Sequence, residues 1–148
     1  MVMRILWMTV LGLFVAGCGQ GRNGDYHLDE KSFGADSLKM ISQRIGIALP
    51  PASKGLHLYY QGAQIDPSFV AKIEIPASSS DAMLDDLKKL VNRAGGVSGS
   101  LTSKVSWWSP VASTIRVQRQ LTVDGNYVRV LLCEEPDRWA LYVEWIKI

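Results

Sequence analysis

Four side chains of this 148-residue chain are the ones best suited to chemistry, namely Cys18, Cys133, His27 and His57. A thiolate nucleophile needs a base beside it, and a metal site needs several Cys, His or carboxylate ligands at short spacings. No Cys, Asp or second His falls at ligand spacing around His57, and His27 lies in a polar, glycine-rich stretch. The sequence therefore predicts no metal site and no cofactor.

Carboxylate chemistry is the next possibility, because adjacent acids occur at Asp85-Asp86 and at Glu134-Glu135. Adjacent residues on a helix or strand point in different directions, so we interpret these acids as helix and turn residues rather than as catalytic pairs. The sequence also lacks the nucleophile-elbow, phosphate-loop, zinc-protease and dithiol motifs. We expect a protein that is not an enzyme. The alternative would need acidic and His side chains to meet in one cleft.

The clearest pattern lies at the start of the chain. Arg4 precedes an almost wholly apolar run over residues 5–16, which is shorter than the roughly 20 residues that cross a bilayer and is typical of a signal peptide. The small residues Ala16 and Gly17 come directly before Cys18, and a flexible polar sequence follows. This arrangement predicts a signal peptide over residues 1–17.

The sequence Val15-Ala16-Gly17-Cys18 resembles the lipobox of bacterial lipoproteins, although Val15 stands where that family more often has Leu. The resemblance implies that the Cys18 thiol receives a diacylglyceryl group and that the lipoprotein signal peptidase cuts between Gly17 and Cys18. It also implies acylation of the new amine. Two or three acyl chains give stable membrane attachment, whereas one binds only marginally. An ordinary signal peptide or short membrane helix that happens to end in Cys is the alternative.

The residue after the cysteine bears on the choice of membrane. In Gram-negative lipoproteins an Asp at this position usually retains the protein at the inner membrane, and this chain has Gly19. The resemblance therefore implies a lipid-anchored protein of the cell envelope. We expect it on the outer membrane facing the periplasm in a Gram-negative cell, and otherwise on the outer face of the plasma membrane.

Lipid on Cys18 would leave Cys133 as the single remaining cysteine, so no internal disulfide is expected. Cys133 follows an apolar run over residues 128–132, which favours a buried thiol. A reactive or intermolecular thiol is the alternative in an exported protein.

The size and net charge of the chain limit its domain organisation and the kinds of partner it can bind. The formal net charge is +2 and hydrophobic residues make up 47% of the chain. A near-neutral balance argues against nucleic-acid binding, which needs a clustered basic face. The sequence predicts a lipidated flexible tether over residues 18–30, because glycine alternates there with polar residues, and a single domain over residues 31–148.

Hydrophobic periodicity divides that domain into helices and strands. Apolar residues at helical spacing, with polar starts and glycine ends, predict two helices. Alternating or continuous apolar runs separated by turn residues predict five strands, and Asp124-Gly125-Asn126 is a strong hairpin signal. The predicted helices cover Asp36–Ile45 and Asp81–Ala94, and the predicted strands cover residues 56–60, 69–75, 115–123, 127–133 and 138–148.

Trp107 and Trp108 stand side by side in the least regular stretch, residues 97–113. Tryptophan is enriched where binding energy concentrates, so we predict a possible partner contact at this pair. The alternative is that one or both rings cover the edge of the core, since each ring can bury a large apolar area.

Together these features predict an α+β fold, in which an antiparallel sheet of about five strands carries the Asp81–Ala94 helix on one face and the shorter helix nearby. The segment Leu49-Pro50-Pro51-Ala52 ahead of a Tyr-rich strand is similar to small bacterial lipoproteins. The leading functional hypothesis is a membrane-tethered interaction module that binds an envelope partner through the open face of the sheet or the Trp107-Trp108 loop. A carrier of a small apolar ligand and an immunity-type lipoprotein that neutralises an envelope toxin are the alternatives.

Overall fold

The computed structural model describes residues 24–62, 66–93 and 95–148. The predicted signal peptide, its cleavage point and Cys18 lie outside the described residues. In the part that is described, no helix combines the length and apolar character needed to cross a membrane.

One antiparallel sheet organises the described chain. Its six strands lie in the spatial order β1-β2-β3-β6-β5-β4. The predicted α+β fold is confirmed, with six strands in place of about five. In sequence order the strands are β1 Tyr26–Leu28, β2 Lys54–Gln61, β3 Ser68–Ile75, β4 Ile115–Val123, β5 Asn126–Glu134 and β6 Trp139–Ile146.

The additional strand is β1, which corrects the predicted extent of the tether. Tyr26, His27 and Leu28 pair with residues 58–60 of β2. Leu28 is buried and the Tyr26 ring stacks on Tyr60 with centroids 5.0 Å apart. Three residues carry too little local pattern to predict a strand, and the partner strand supplies the stabilising contacts. The ordered domain therefore begins within the segment predicted as a tether.

Two helices, α1 (Ala35–Ile45) and α2 (Ala77–Lys89), pack on one face of the sheet. Ile41 and Ile45 of α1 and Leu87 of α2 are almost completely buried there. These side chains and the alternating apolar residues of β3, β5 and β6 together form one hydrophobic core. All of the described core lies between residues 26 and 145.

Both ends of α2 differ from the prediction. The helix begins at Ala77, after Pro76, instead of at Asp81, and Ser80 donates its hydroxyl to the Ala77 carbonyl. The helix ends at Lys89 instead of Ala94, because Arg119 of β4 donates to the carbonyls of Lys88 and Leu90 and holds the chain there. These bonds also explain why a charged residue, Arg119, occupies the helix-facing side of β4.

The functional hypothesis had expected the face of the sheet opposite the helices to be open. In the structure this face is covered. Residues 97–114, here called the strap, cross this second face with short 3₁₀ turns at Thr102–Lys104 and Ala112–Thr114. The second face carries large apolar side chains, including Val70 and Tyr142, and these need cover from water. β6 is covered on both faces, because the helices lie on one side of it and the strap lies on the other.

Candidate functional site

The strap is attached to the sheet by a buried carboxylate. Glu144 of β6 is 1% exposed. One of its oxygens accepts hydrogen bonds from Ser100 Oγ at 2.6 Å and from the Leu101 backbone N–H at 3.2 Å. Its other oxygen pairs with Arg129 Nη2 at 2.7 Å. A buried charge is tolerated only when it is paired and hydrogen-bonded, and Glu144 meets both conditions.

Apolar contacts continue along the strap beyond this attachment. Leu101 and Val105 are buried against Tyr59 and Val70 of the sheet. Lys104 Nζ also donates to the side chain of Gln61 at 2.9 Å. The strap therefore has a fixed path over the sheet, although it contains little regular secondary structure.

This path places the two predicted contact residues on the second face. Trp107 stacks on His57, with ring centroids 5.4 Å apart and planes 15° apart. Trp108 meets Tyr142 edge-on at 5.4 Å, and the Arg129 guanidinium lies 5.4 Å from the centre of the Trp108 ring. Both tryptophans are half-buried, so each ring covers the core and also keeps a surface toward solvent. Partner contact at this pair stays a prediction.

A compact ionic cluster lies beside the tryptophans. Lys72 Nζ pairs with Glu135 Oε1 at 2.9 Å, and the Tyr142 hydroxyl donates to the same oxygen at 2.7 Å. Burial raises the pKa of Tyr142, and the Glu135 carboxylate raises it further. Tyr142 is therefore a neutral hydrogen-bond donor near pH 7. The cluster satisfies its own charges.

His57 and Cys133 also face this side of the sheet. Burial lowers the pKa of His57, and the nearby positive charge of Lys72 lowers it further, so the imidazole is neutral at pH 7. Cys133 is fully buried, and burial raises the pKa of its thiol to about 11. The predicted buried thiol is confirmed. A protonated, inaccessible thiol does not act as a nucleophile.

The adjacent acids serve separate partners, and Glu134 is the last residue of β5 instead of a turn residue as predicted. Glu134 pairs with Arg116 at 2.6 Å, while Glu135 pairs with Lys72. Asp85 and Asp86 lie exposed on α2. Across the described residues, no group of three or more His, Cys, Asp or Glu side chains is placed to hold a metal ion.

A concave surface lies on the helix side of the molecule, away from the strap. An open groove of about 470 Å³ runs between α2 and the segment over residues 46–51 that follows α1. Its lining is mainly aliphatic and includes Leu49, Met83 and Leu87. The volume lies in the range of small-molecule sites, which is about 300–1,000 Å³.

Comparison with known proteins adds no assignment to these sites. No protein-family model matches the chain, and no curated protein or solved structure shows a significant similarity to it.

The role of Glu144 was not predicted from the sequence. The spacing of Leu101, Val105 and Trp108 within a serine-rich stretch was the available signal that residues 97–114 pack on the core. The lining of the groove was not anticipated either, because it combines residues from a loop and a helix that are far apart in sequence.

Proposed function

We propose that this chain is a lipid-anchored, non-enzymatic interaction module of the bacterial cell envelope. In this proposal the acyl chains on Cys18 hold it at the membrane, and the outward side of the strap around Trp107 and Trp108 recognises a partner protein. The observation that carries the proposal is the fixed, half-buried position of the two tryptophans on a segment attached to the sheet by Glu144.

The position of Trp107 and Trp108 supports recognition for an energetic reason. Rigid aromatic rings add contact area at an interface without a large loss of side-chain entropy, since their rotamers are already restricted by packing. Lys72 and Arg129 beside them are already paired with Glu135 and Glu144, so little net charge faces a partner. We therefore expect a partner surface that is mainly apolar and polar but uncharged.

The anchor would also limit where the partner can lie. The chain between Cys18 and the start of β1 at Tyr26 can reach at most about 30 Å when fully extended. A domain held by such a linker stays close to the bilayer. The partner is then another envelope protein, and a secreted toxin of the envelope is included in this class.

Crosslinking of intact cells followed by affinity purification tests recognition by the strap. We expect Trp107→Ala and Trp108→Ala to reduce recovery of the crosslinked partner. Trp139→Ala is the matched control, because Trp139 is also partly buried but packs on the helix side of the sheet. Equal partner recovery by both strap variants and wild type, with folding verified by circular dichroism, would contradict the proposed surface.

Palmitate labelling tests the anchor. We expect the wild-type chain to incorporate labelled palmitate and to sediment with membranes, and Cys18→Ser to do neither. Unchanged membrane association of Cys18→Ser would contradict anchoring at this sulfur, whatever the outcome for the tryptophans.

The groove beside α2 favours a second candidate function, the transport or sequestration of a small apolar ligand. A groove of about 470 Å³ with a mainly aliphatic lining is large enough for such a molecule. This function would use the helix side of the domain and is independent of the strap.

A further inference from the structure

The groove is a built feature of the fold. Its loop wall, residues 46–51, is tied to α1 because Ser42 Oγ donates to the Ile47 carbonyl at 2.7 Å. The wall then turns at Pro50, whose carbonyl accepts bonds from both the backbone N–H and the hydroxyl of Ser53. Consecutive prolines at Pro50 and Pro51 fix their own backbone φ angles. The groove is therefore largely formed before any ligand arrives.

A glycine sets the direction of this wall. Gly46 ends α1 with φ of +66°, a conformation that costs other residues energy. A Cβ added at Gly46 would also lie 3.2 Å from a methyl carbon of Val123. The close approach of the wall to β4 thus depends on this glycine.

The groove has a distinctive chemistry. Its described lining contains no aromatic ring and no cationic side chain, and Asp86 is the one charged residue in it. The floor is formed by aliphatic side chains and by the flexible thioether of Met83, which adapts to irregular shapes. The described lining residues are Gly46, Ile47, Ala48, Leu49, Pro50, Pro51, Ser79, Ala82, Met83, Asp86, Leu87 and Leu90.

The charge at the rim selects among amphiphilic ligands. Asp86 is paired with Lys89 at 3.2 Å, but both side chains are more than 70% exposed. Exposed pairs of this kind contribute little free energy and exchange easily with water. Asp86 lines the groove and Lys89 does not, so a ligand cation in the groove can replace Lys89 beside Asp86, whereas a ligand carboxylate in the groove would lie closer to Asp86 than to Lys89.

We propose that the groove binds a single aliphatic chain whose head group is uncharged or cationic, and that it discriminates against an anionic head group. This inference rests on the second candidate function, the binding of a small apolar ligand. The aliphatic floor provides the affinity, and Asp86 at the rim provides the preference for the head group.

Three probes with the same chain length test the proposal: decyltrimethylammonium, 1-decanol and decanoate, each used below its micelle concentration. The protein is the chain from Gly19 onward, exported without lipid, because the described core lies entirely within it. Binding is measured by calorimetry and by amide chemical shifts near Leu49 and Leu87. At low ionic strength we expect the cationic probe to bind about tenfold more tightly than decanoate, since the head-group interaction changes sign.

Two substitutions separate the head group from the chain. Asp86→Asn is expected to weaken the cationic probe about fivefold and to leave 1-decanol unchanged. Asp85→Asn is the matched control, because Asp85 is an exposed neighbour on α2 that does not line the groove. Ala82→Trp fills the groove from an exposed helix position and should abolish binding of all three probes. Ala48→Trp does the same from the loop wall.

The outcomes distinguish the two levels of the proposal. Equal affinity for the cationic probe and decanoate, or an effect of Asp85→Asn equal to that of Asp86→Asn, would overturn the head-group preference and leave the carrier function intact. Failure of all three probes to bind the folded wild-type domain would overturn both. Unchanged binding by the folded Ala82→Trp and Ala48→Trp variants would show that the probes do not bind in the groove.

Discussion

Removal of the Glu144 carboxylate is expected to release the strap and to destabilise the whole domain. Glu144→Ala leaves Arg129 without its ion-pair partner and leaves the Leu101 N–H without its acceptor. Breaking a buried ion pair costs about 3–5 kcal/mol. The Arg129 side chain is 24% exposed and regains some hydration, so the lower end of that range applies. The lost hydrogen bond to Leu101 adds about 1 kcal/mol.

The expected loss is therefore about 4 kcal/mol of the free energy of unfolding, against a total of about 5–15 kcal/mol for ordinary domains. Urea denaturation followed by tryptophan fluorescence measures this loss. Hydrogen exchange should show the largest increase in residues 97–105 of the strap and a smaller one in α1. Glu144→Gln keeps an acceptor for Leu101 and should lose less, about 1–2 kcal/mol.

A loss below about 1 kcal/mol for Glu144→Ala would refute this reasoning. Unchanged exchange in the strap would refute it as well, because it would show that the apolar contacts of Leu101 and Val105 hold the strap without the carboxylate.

Three further predictions concern buried or capping groups. Cys133 should react with a disulfide reagent at pH 8 only after unfolding. Its folded pKa is raised to about 11, so the contribution of the buried neutral thiol to the free energy of unfolding is complete below pH 9. This contribution falls as the pH rises toward 11, by up to about 3 kcal/mol, and urea titrations at several pH values measure the loss. The lowered pKa of His57 has the opposite consequence: its contribution to stability is complete above pH 6.5 and is lost as the pH drops below that value, so the stability of wild type relative to His57→Gln should decrease from pH 7.5 to pH 5. A constant difference would contradict this. Arg119→Ala should cost about 1–2 kcal/mol and speed hydrogen exchange at the end of α2, because two carbonyls lose their donor. Unchanged exchange there would contradict the capping role.

The β4-β5-β6 meander illustrates what local pattern predicts well. β4 begins and ends at the predicted residues, Ile115 and Val123, and the hairpin turns at Asp124-Gly125 with positive φ at both residues. Alternating apolar side chains and turn residues act over a few positions, so both signals are present in the sequence itself.

The ends of α2 and the whole of β1 show where local pattern fails. Ala94 continues the apolar stripe of the predicted helix, but Arg119 holds the carbonyls of Lys88 and Leu90, and α2 ends at Lys89. β1 is ordered by its pairing with β2. In both cases a strand distant in the sequence provides the decisive hydrogen bonds.

The sequence by itself determined the α+β class, the main helix and strand positions, the burial of Cys133 and the prediction of a lipid anchor at Cys18. Each depends on residue types within one short stretch. Only the tertiary structure decided the path of the strap and the existence of the groove. Ser100 and Glu144 are 44 positions apart. A contact between such distant residues leaves no periodic trace in the sequence, since it depends on how the whole sheet brings its strands together.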